Sequence, residues 1–198
     1  MTDPKTIAFY NGAARDYDTC FDSGAASTAL ADFMALLPAG AAVLDLGCGP
    51  ARASVHMRKA GFSPDPVDAS QGMIDLANET HDIGARLLTF DEIDMVAAYD
   101  GVWANFSLLH APKQDLPKHF AAISMALKEG GVFHIGMKTG TGKKRDHIER
   151  LYTFITVDEL HSLMKDAGFE VIFFKEGSDV GFAGTNDPFV NMRARKVA

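Results

Sequence analysis

The chain reads as an α/β domain built on a parallel sheet, and three observations carry that reading. Short apolar runs of strand length alternate with longer amphipathic stretches, the pattern of strand–helix–strand units. One such run, 41–46, leads directly into the turn Gly47, Cys48, Gly49, Pro50 and then into a helical pattern beginning near Arg52. The 198 residues are 47% hydrophobic and 23% charged, enough apolar surface to offset the ordering entropy of one packed domain.

In chain order, two N-terminal segments, 5–18 and 23–37, carry helical patterning ahead of the first strand. Strands are expected over 41–46, 63–68, 85–90, 99–106, 131–137, 169–174 and near 188–196. Between them, helices are expected from Arg52 and over 71–79, 113–128 and 156–167. The last opens with Thr156 and Glu159 at capping-box spacing and stops at Gly168, a residue suited to a helix C-terminus. Ligands of such sheets gather outside the carboxyl ends of the strands. The loops after strands one to five are therefore where a site is expected, with the N-terminal segment 1–38 as a helical lid over a core of 39–198 within one domain.

Charge and composition exclude several functions. With 19 Lys+Arg against 26 Asp+Glu the net charge is −7, and no basic face of the kind nucleic acid needs is apparent. Cys20 and Cys48 make neither a disulfide framework nor a zinc ligand set, and His81, His119, His147 and His161 are scattered without paired acids, so no metal is expected. The first residues are polar, and no run reaches the ~18 apolar residues of a membrane span. A soluble cytoplasmic protein, monomer or homodimer, is the expectation.

The glycine-rich turn is the strongest local signal. Glycine permits a tight turn and lets backbone approach a ligand without Cβ obstruction. As a dinucleotide fingerprint the turn fails, because counting from Gly47 puts Arg52 where close strand-to-helix packing needs glycine or alanine. Asp45 lies inside the strand end, two residues before Gly47, and Asp68 closes the second strand 19 residues beyond Gly49. That is the distance one strand–helix–strand unit needs to bring a carboxylate to a ribose. The run 138–146 is the one basic cluster, and it is not a P-loop, since Lys144 follows the Gly142-Lys143 pair where Ser or Thr is required. Lys138, Arg145 and Arg150 either attract an anionic acceptor or belong to a solvated loop, with Lys138 the member expected to point inward. Phe182 and Phe189 are expected in core or edge-strand positions.

The turn after Asp45, the stretch ending at Asp68 and Met73, the run from Tyr99 through Asn105 to His110, and the turn at Gly130-Gly131 together resemble class I S-adenosylmethionine-dependent methyltransferases. The C-terminal stretch 137–169 is similar to the small bacterial tellurite-resistance and thiopurine-like branch. The resemblance implies a Rossmann-like three-layer sandwich whose seven-stranded, mostly parallel sheet ends on an antiparallel strand. It implies S-adenosylmethionine as cofactor, S-adenosylhomocysteine as product and a small-molecule methyl acceptor at S, O, N or a metalloid oxyanion. Asp68 would accept the ribose hydroxyls and Asp45 would orient the turn and the ammonium end. Gly47, Cys48 and Gly49 would supply backbone, Met73 would pack on the adenine, Ala69 would belong to the cofactor site, and Tyr17 would close over the cofactor. Asn105 would lie near the methionine moiety.

Two departures from the family pattern stand out. Ala51 replaces the third glycine, and no acid falls cleanly after the third strand, where either Thr89 with Phe90 or Asp91 holds the adenine. His110 is a candidate base for the acceptor, or a histidine that shapes the pocket; Lys138 is the second catalytic candidate. Asn105 does not begin an Asn-Pro-Pro-Tyr motif, which counts against DNA adenine methylation. The competing readings are a non-catalytic S-adenosylmethionine-binding regulatory module, which the intact Asp45 and Asp68 disfavour, and a nicotinamide-dependent dehydrogenase, which Arg52 disfavours.

Overall fold

The computed structural model describes residues 3–20 and 25–197. In chain order its elements are α1 (Pro4–Cys20), α2 (Thr28–Met34), β1 (Ala42–Leu46), α3 (Arg52–Lys59), β2 (Ser63–Asp68), α4 (Gln71–His81), β3 (Arg86–Leu87), β4 (Tyr99–Asn105), α5 (Leu116–Ala126), β5 (Leu127–Lys138), β6 (Lys143–Arg145), β7 (Leu151–Thr153), α6 (Val157–Asp166), β8 (Phe169–Val180) and β9 (Asn186–Lys196). Seven strands form one sheet in the order β3-β2-β1-β4-β5-β9-β8, and β6 pairs with β7 separately. Strands β1 to β5 run parallel, and the last strand, β9, is inserted antiparallel between β5 and β8.

Alternation along the central strands builds a three-layer sandwich. On one face Leu44, Val102, Phe133 and Ile135 pack against Phe120 and Ile123 of α5 and Leu160 of α6. On the other, Val43, Trp103 and Val132 pack against Leu30 and Phe33 of α2 and Met57 of α3. Each fully buried phenylalanine, such as Phe33 or Phe133, stabilises the fold by roughly 1.5–3 kcal/mol relative to exposure. Proline is unusual inside a sheet, yet β2 holds Pro64 and Pro66. Ser63 N donates to Ala41 O on the β1 side, so residues 64 and 66 face the other neighbour, and β3 reaches only Val67 and Asp68. The missing N–H groups therefore leave no ladder bond unmade.

Several boundaries differ from the sequence expectation. The strand expected over 85–90 is reduced to Arg86–Leu87, because the Glu92 carboxylate takes Thr89 N and Thr89 Oγ1 at 2.8 Å each and turns the chain into a short 3₁₀ helix. The helix expected over 113–128 begins at Leu116, after a 3₁₀ turn and beside Pro117, and hands over to β5 at Leu127. Part of the basic run 138–146 is not a free loop, since Lys143–Arg145 ladders with Leu151–Thr153. The second N-terminal helix is short, Thr28–Met34, with Ser27 Oγ accepting from Leu30 N; the part of the expected 23–37 helix before residue 25 lies outside the described residues.

Candidate active site

The turn after β1 is shaped by steric necessity. Gly47 has φ +75°, and a Cβ there would lie 2.3 Å from Ser107 Cβ, so no other residue fits. Ser107 in turn donates its hydroxyl to Leu46 O at 2.6 Å, locking the ends of β1 and β4 together. Ala51, fully buried, holds φ +59°, a left-handed conformation that favours glycine. Such a backbone costs an alanine roughly 1–2 kcal/mol, offset by packing of its methyl against Ile74 and Ala77.

The turn's N–H groups are consumed internally. Gly47 N and Cys48 N both donate to Val67 O, at 2.8 and 2.9 Å, and Gly49 N donates to Asp68 Oδ2 at 2.9 Å. Asp68 Oδ1 also accepts from Ser70 N at 2.8 Å, so this carboxylate joins the β1 and β2 loops with lone pairs to spare. Asp45 is 2% exposed and accepts from Ser54 Oγ at 2.7 Å. Burial pushes its carboxyl up to about 7, against the opposing effect of Ser54. Burial likewise raises Asp68, against its backbone hydrogen bonds, and raises the Cys48 thiol.

Helix α1 lies across these loops. Asn11 Oδ1 accepts from Ser70 Oγ at 2.8 Å and Gly72 N at 3.1 Å, and a Cβ on Gly72 would sit 2.4 Å from Asn11 O. Ion pairs hold the helix at both ends: Asp3 with Arg145 at 2.8 Å, and Asp18 with Arg52 at 2.5 Å. Its inner face carries an aromatic roof, with Tyr10 edge-on to Phe9 and Tyr17, and Phe182 from the β8–β9 turn packed against Phe9 and Tyr17.

Beneath the roof, Arg150, 3% exposed, pairs with Asp146 at 2.9 Å and donates to Tyr10 Oη at 3.2 Å. Tyr10 lies 3.0 Å from His110 Nε2, and His110 Nδ1 lies 2.8 Å from Leu151 O. A carbonyl only accepts, so Nδ1 carries the proton and Nε2 accepts from Tyr10. Burial holds His110 down to about 4, so it is neutral near pH 7 with both nitrogens engaged. Lys138 pairs with Asp187 at 2.7 Å and sits 3.8 Å over the Tyr152 ring.

One cavity of about 770 Å³ connects these groups. It is lined by Asp45, Gly47, Cys48, Gly49, Asp68, Ala69, Met73 and Phe90, and also by Tyr17, Asn105, His110 and Lys138. Thr89 is not on the wall: its hydroxyl is spent on Glu92, and Leu88 lines the cavity instead. Asp91 is ion-paired with Lys118 at 2.8 Å, away from the cavity. The basic run divides, with Lys138 inward and Arg145 fastened to the start of α1. Arg150, named with the basic run, also lines the cavity, as do Tyr10, Tyr152, Asn191 and Trp103, which no spacing signal in the sequence singles out. Phe182 and Phe189, expected in core or edge positions, are wall residues. Among the described residues no cluster of His, Cys, Asp or Glu could hold a metal ion, and no helix is long and apolar enough to cross a membrane.

A sheet with the β9 inversion, a glycine turn after β1 and acids ending β1 and β2 define the Rossmann-like methyltransferase class, whose cofactor is S-adenosylmethionine. A model of the methyltransferase domain matches residues 21–172, and the chain belongs to that family of S-adenosylmethionine-dependent methyltransferases. Similar solved structures include a Burkholderia thailandensis 1,6-didemethyltoxoflavin-N1-methyltransferase with bound 1,6-didemethyltoxoflavin and S-adenosylhomocysteine. It is 24% identical, with TM-score 0.71, over 100% of this chain and 92% of that one. An S-adenosylmethionine-dependent methyltransferase of Methanosarcina mazei superposes with TM-score 0.76 at 16% identity over 84% and 97% of the two chains. TehB of Haemophilus influenzae gives TM-score 0.74 at 20% identity over 91% and 65%. No curated protein sequence matches the chain.

Proposed function

We propose that the protein transfers the methyl group of S-adenosylmethionine to a small-molecule acceptor at sulfur, oxygen or nitrogen, as a single domain whose N-terminal helices act as a lid. The carrying observation is the single cavity that runs from the carboxylates ending β1 and β2 to an aromatic and amide-lined end at β5 and β9. Its volume, about 770 Å³, lies within the range of small-molecule sites.

The residues present fit the cofactor. Asp68 has unused lone pairs for a ribose diol, and the backbone carbonyls of the turn with Asp45 suit an ammonium; the turn's donors are already committed. Met73, Leu88 and Phe90 give apolar walls for a purine. When bound, S-adenosylmethionine supplies an electrophilic methyl: the acceptor's lone pair forms the new bond, the S–CH₃ bond breaks, and S-adenosylhomocysteine and a proton leave. The protein's own part is alignment and exclusion of water, for which the roof of Tyr10, Tyr17 and Phe182 is built. His110, neutral and held at both nitrogens, shapes the pocket; Lys138, paired with Asp187, fixes one wall.

The branch resemblance adds a metalloid oxyanion to the acceptor classes. Against it, Lys138 and Arg150 each already hold a carboxylate, Asp187 and Asp146, and an entering oxyanion would have to displace one of them. The test is calorimetric titration with S-adenosylhomocysteine of the wild type and Asp68→Ala, followed by an acceptor screen read by S-adenosylhomocysteine release. Removing the diol acceptor weakens binding by about 1–3 kcal/mol. Tight NADH binding without S-adenosylhomocysteine binding refutes the reading.

A further inference from the structure

At β4, β5 and β9 the cavity has a floor with an unsatisfied hydrogen-bonding pattern. Residues of β4, β5 and β9 stand in rows across the sheet: Trp103, His134 and Arg193, and one step nearer the carboxyl edge, Asn105, Gly136 and Asn191. In the first row Trp103 stacks on His134, with centroids 3.9 Å apart and planes at 13°. In the second, a glycine stands between two amides. A Cβ at position 136 would lie 2.6 Å from Asn105 Oδ1 and 2.9 Å from Asn191 Oδ1, so glycine is what lets the two amides converge.

The two amides are not equivalent. His134 Nε2 lies 3.3 Å from Asn105 Oδ1, which only accepts, so the ring donates there and Asn105 is left with its Nδ2 donors. Asn191 Oδ1 is shielded from solvent and has no hydrogen-bond partner. A buried acceptor without a partner costs roughly 1–3 kcal/mol and needs a reason. Next along the wall, Phe106 holds φ +57°, a strained backbone for a bulky residue. It is kept there by Phe106 N donating to Gly136 O at 3.0 Å and by its ring meeting Phe189 edge-on at 5.6 Å.

We infer that Asn105, Gly136 and Asn191 form the acceptor floor and recognise a planar, uncharged molecule through a lactam-like edge, one C=O beside one N–H. The inference rests on the methyl-transfer reading and adds the substrate class to it. A floor of two side-chain amides converging over Gly136, beside the Phe106 and Phe189 rings, suits a flat ring. Asn191 Oδ1 takes the ligand's N–H and Asn105 Nδ2 meets its carbonyl. Lys138 and Arg150 are each already paired with a carboxylate, which disfavours an anionic ring.

Trp103 is the chain's single tryptophan and lines the cavity, so its fluorescence reports a ligand on this floor. Protein saturated with S-adenosylhomocysteine is titrated with lumazine, hypoxanthine and uracil as lactam probes, and with benzoate, 2-mercaptoethanol and tellurite as contrasts. At least one lactam probe quenches saturably and the contrasts do not. Asn191→Leu weakens that binding at least tenfold while S-adenosylhomocysteine affinity stays within twofold. Asn191→Asp, which keeps an oxygen acceptor, retains most of the lactam binding, and Gly136→Ala loses it. Absence of quenching by every lactam probe, quenching by benzoate or tellurite alone, or Asn191→Leu binding within twofold of wild type each overturns the inference. Failure of the wild type to bind S-adenosylhomocysteine at all is a different result, and it removes the methyl-transfer reading itself.

Discussion

Gly72→Ala separates the lid from the core. Gly72 lies at the start of α4, where the backbone of Asn11 passes so close that a Cβ would stand 2.4 Å from Asn11 O and 2.8 Å from its Cα. Backbone on both sides leaves no flexible group to yield, so α1 must lift. Lifting breaks the two hydrogen bonds to Asn11 Oδ1 and strains the one between Tyr10 and His110. At roughly 0.5–1.5 kcal/mol each, the loss is about 1–3 kcal/mol of lid closure. If the lid encloses the cofactor, its dissociation constant rises about 5- to 150-fold. Alanine is the better helix former by up to about 1 kcal/mol, and the sheet core does not touch this contact, so the remaining loss of about 2 kcal/mol at most lowers Tm by no more than about 8 °C. Calorimetry with S-adenosylhomocysteine, a thermal melt and hydrogen exchange over residues 10–17 read the three quantities. Unchanged affinity with α1 amides still protected would refute the lid, as would a collapse in Tm.

Two further predictions concern proton linkage. Asp45 is raised from 3.8 to about 7 by burial, so the native state holds the extra proton between those values and its contribution to stability is lost as pH rises through the window. Asp45→Asn removes the effect, and its stability relative to wild type therefore climbs by up to about 4 kcal/mol between pH 4 and pH 7; a constant difference in urea unfolding across that range would count against it. His110 runs the other way. Its folded value near 4 lies below the ordinary 6.5, so the unfolded state takes the proton first and the stabilisation is lost as pH falls from about 6.5 to 4. By NMR the His110 ring titrates near pH 4, and an inflection between pH 6 and 7 assigned to it would return it to the role of general base.

Much of the cavity wall at the ends of β1 and β2 is legible locally. Asp45, Gly47, Gly49 and Asp68 fall within two strand ends and one turn, where spacing along the chain is nearly spacing in space, and Gly47 must be glycine because Ser107 stands against it. The capping box at Thr156 and Glu159 was equally readable, since its partners are three residues apart. Thr89 shows the limit. One of the two registers open in the sequence puts it at the adenine position, but Glu92 three residues on takes the same hydroxyl and turns the chain.

The sequence by itself determined the fold class, the order of the motifs and the absence of a net basic charge, all properties carried by periodicity and short spacing. The tertiary structure alone decided what lines the cavity at β5 and β9. Tyr10 reaches His110 across 100 residues of chain and Arg150 across 140, and the Asn105–Gly136–Asn191 row exists because β9 inserts antiparallel beside β5. Side chains so distant in sequence carry no mutual pattern. Sheet register sets which of them meet, and burial then makes Asp45 a near-neutral acid and His110 a neutral wall.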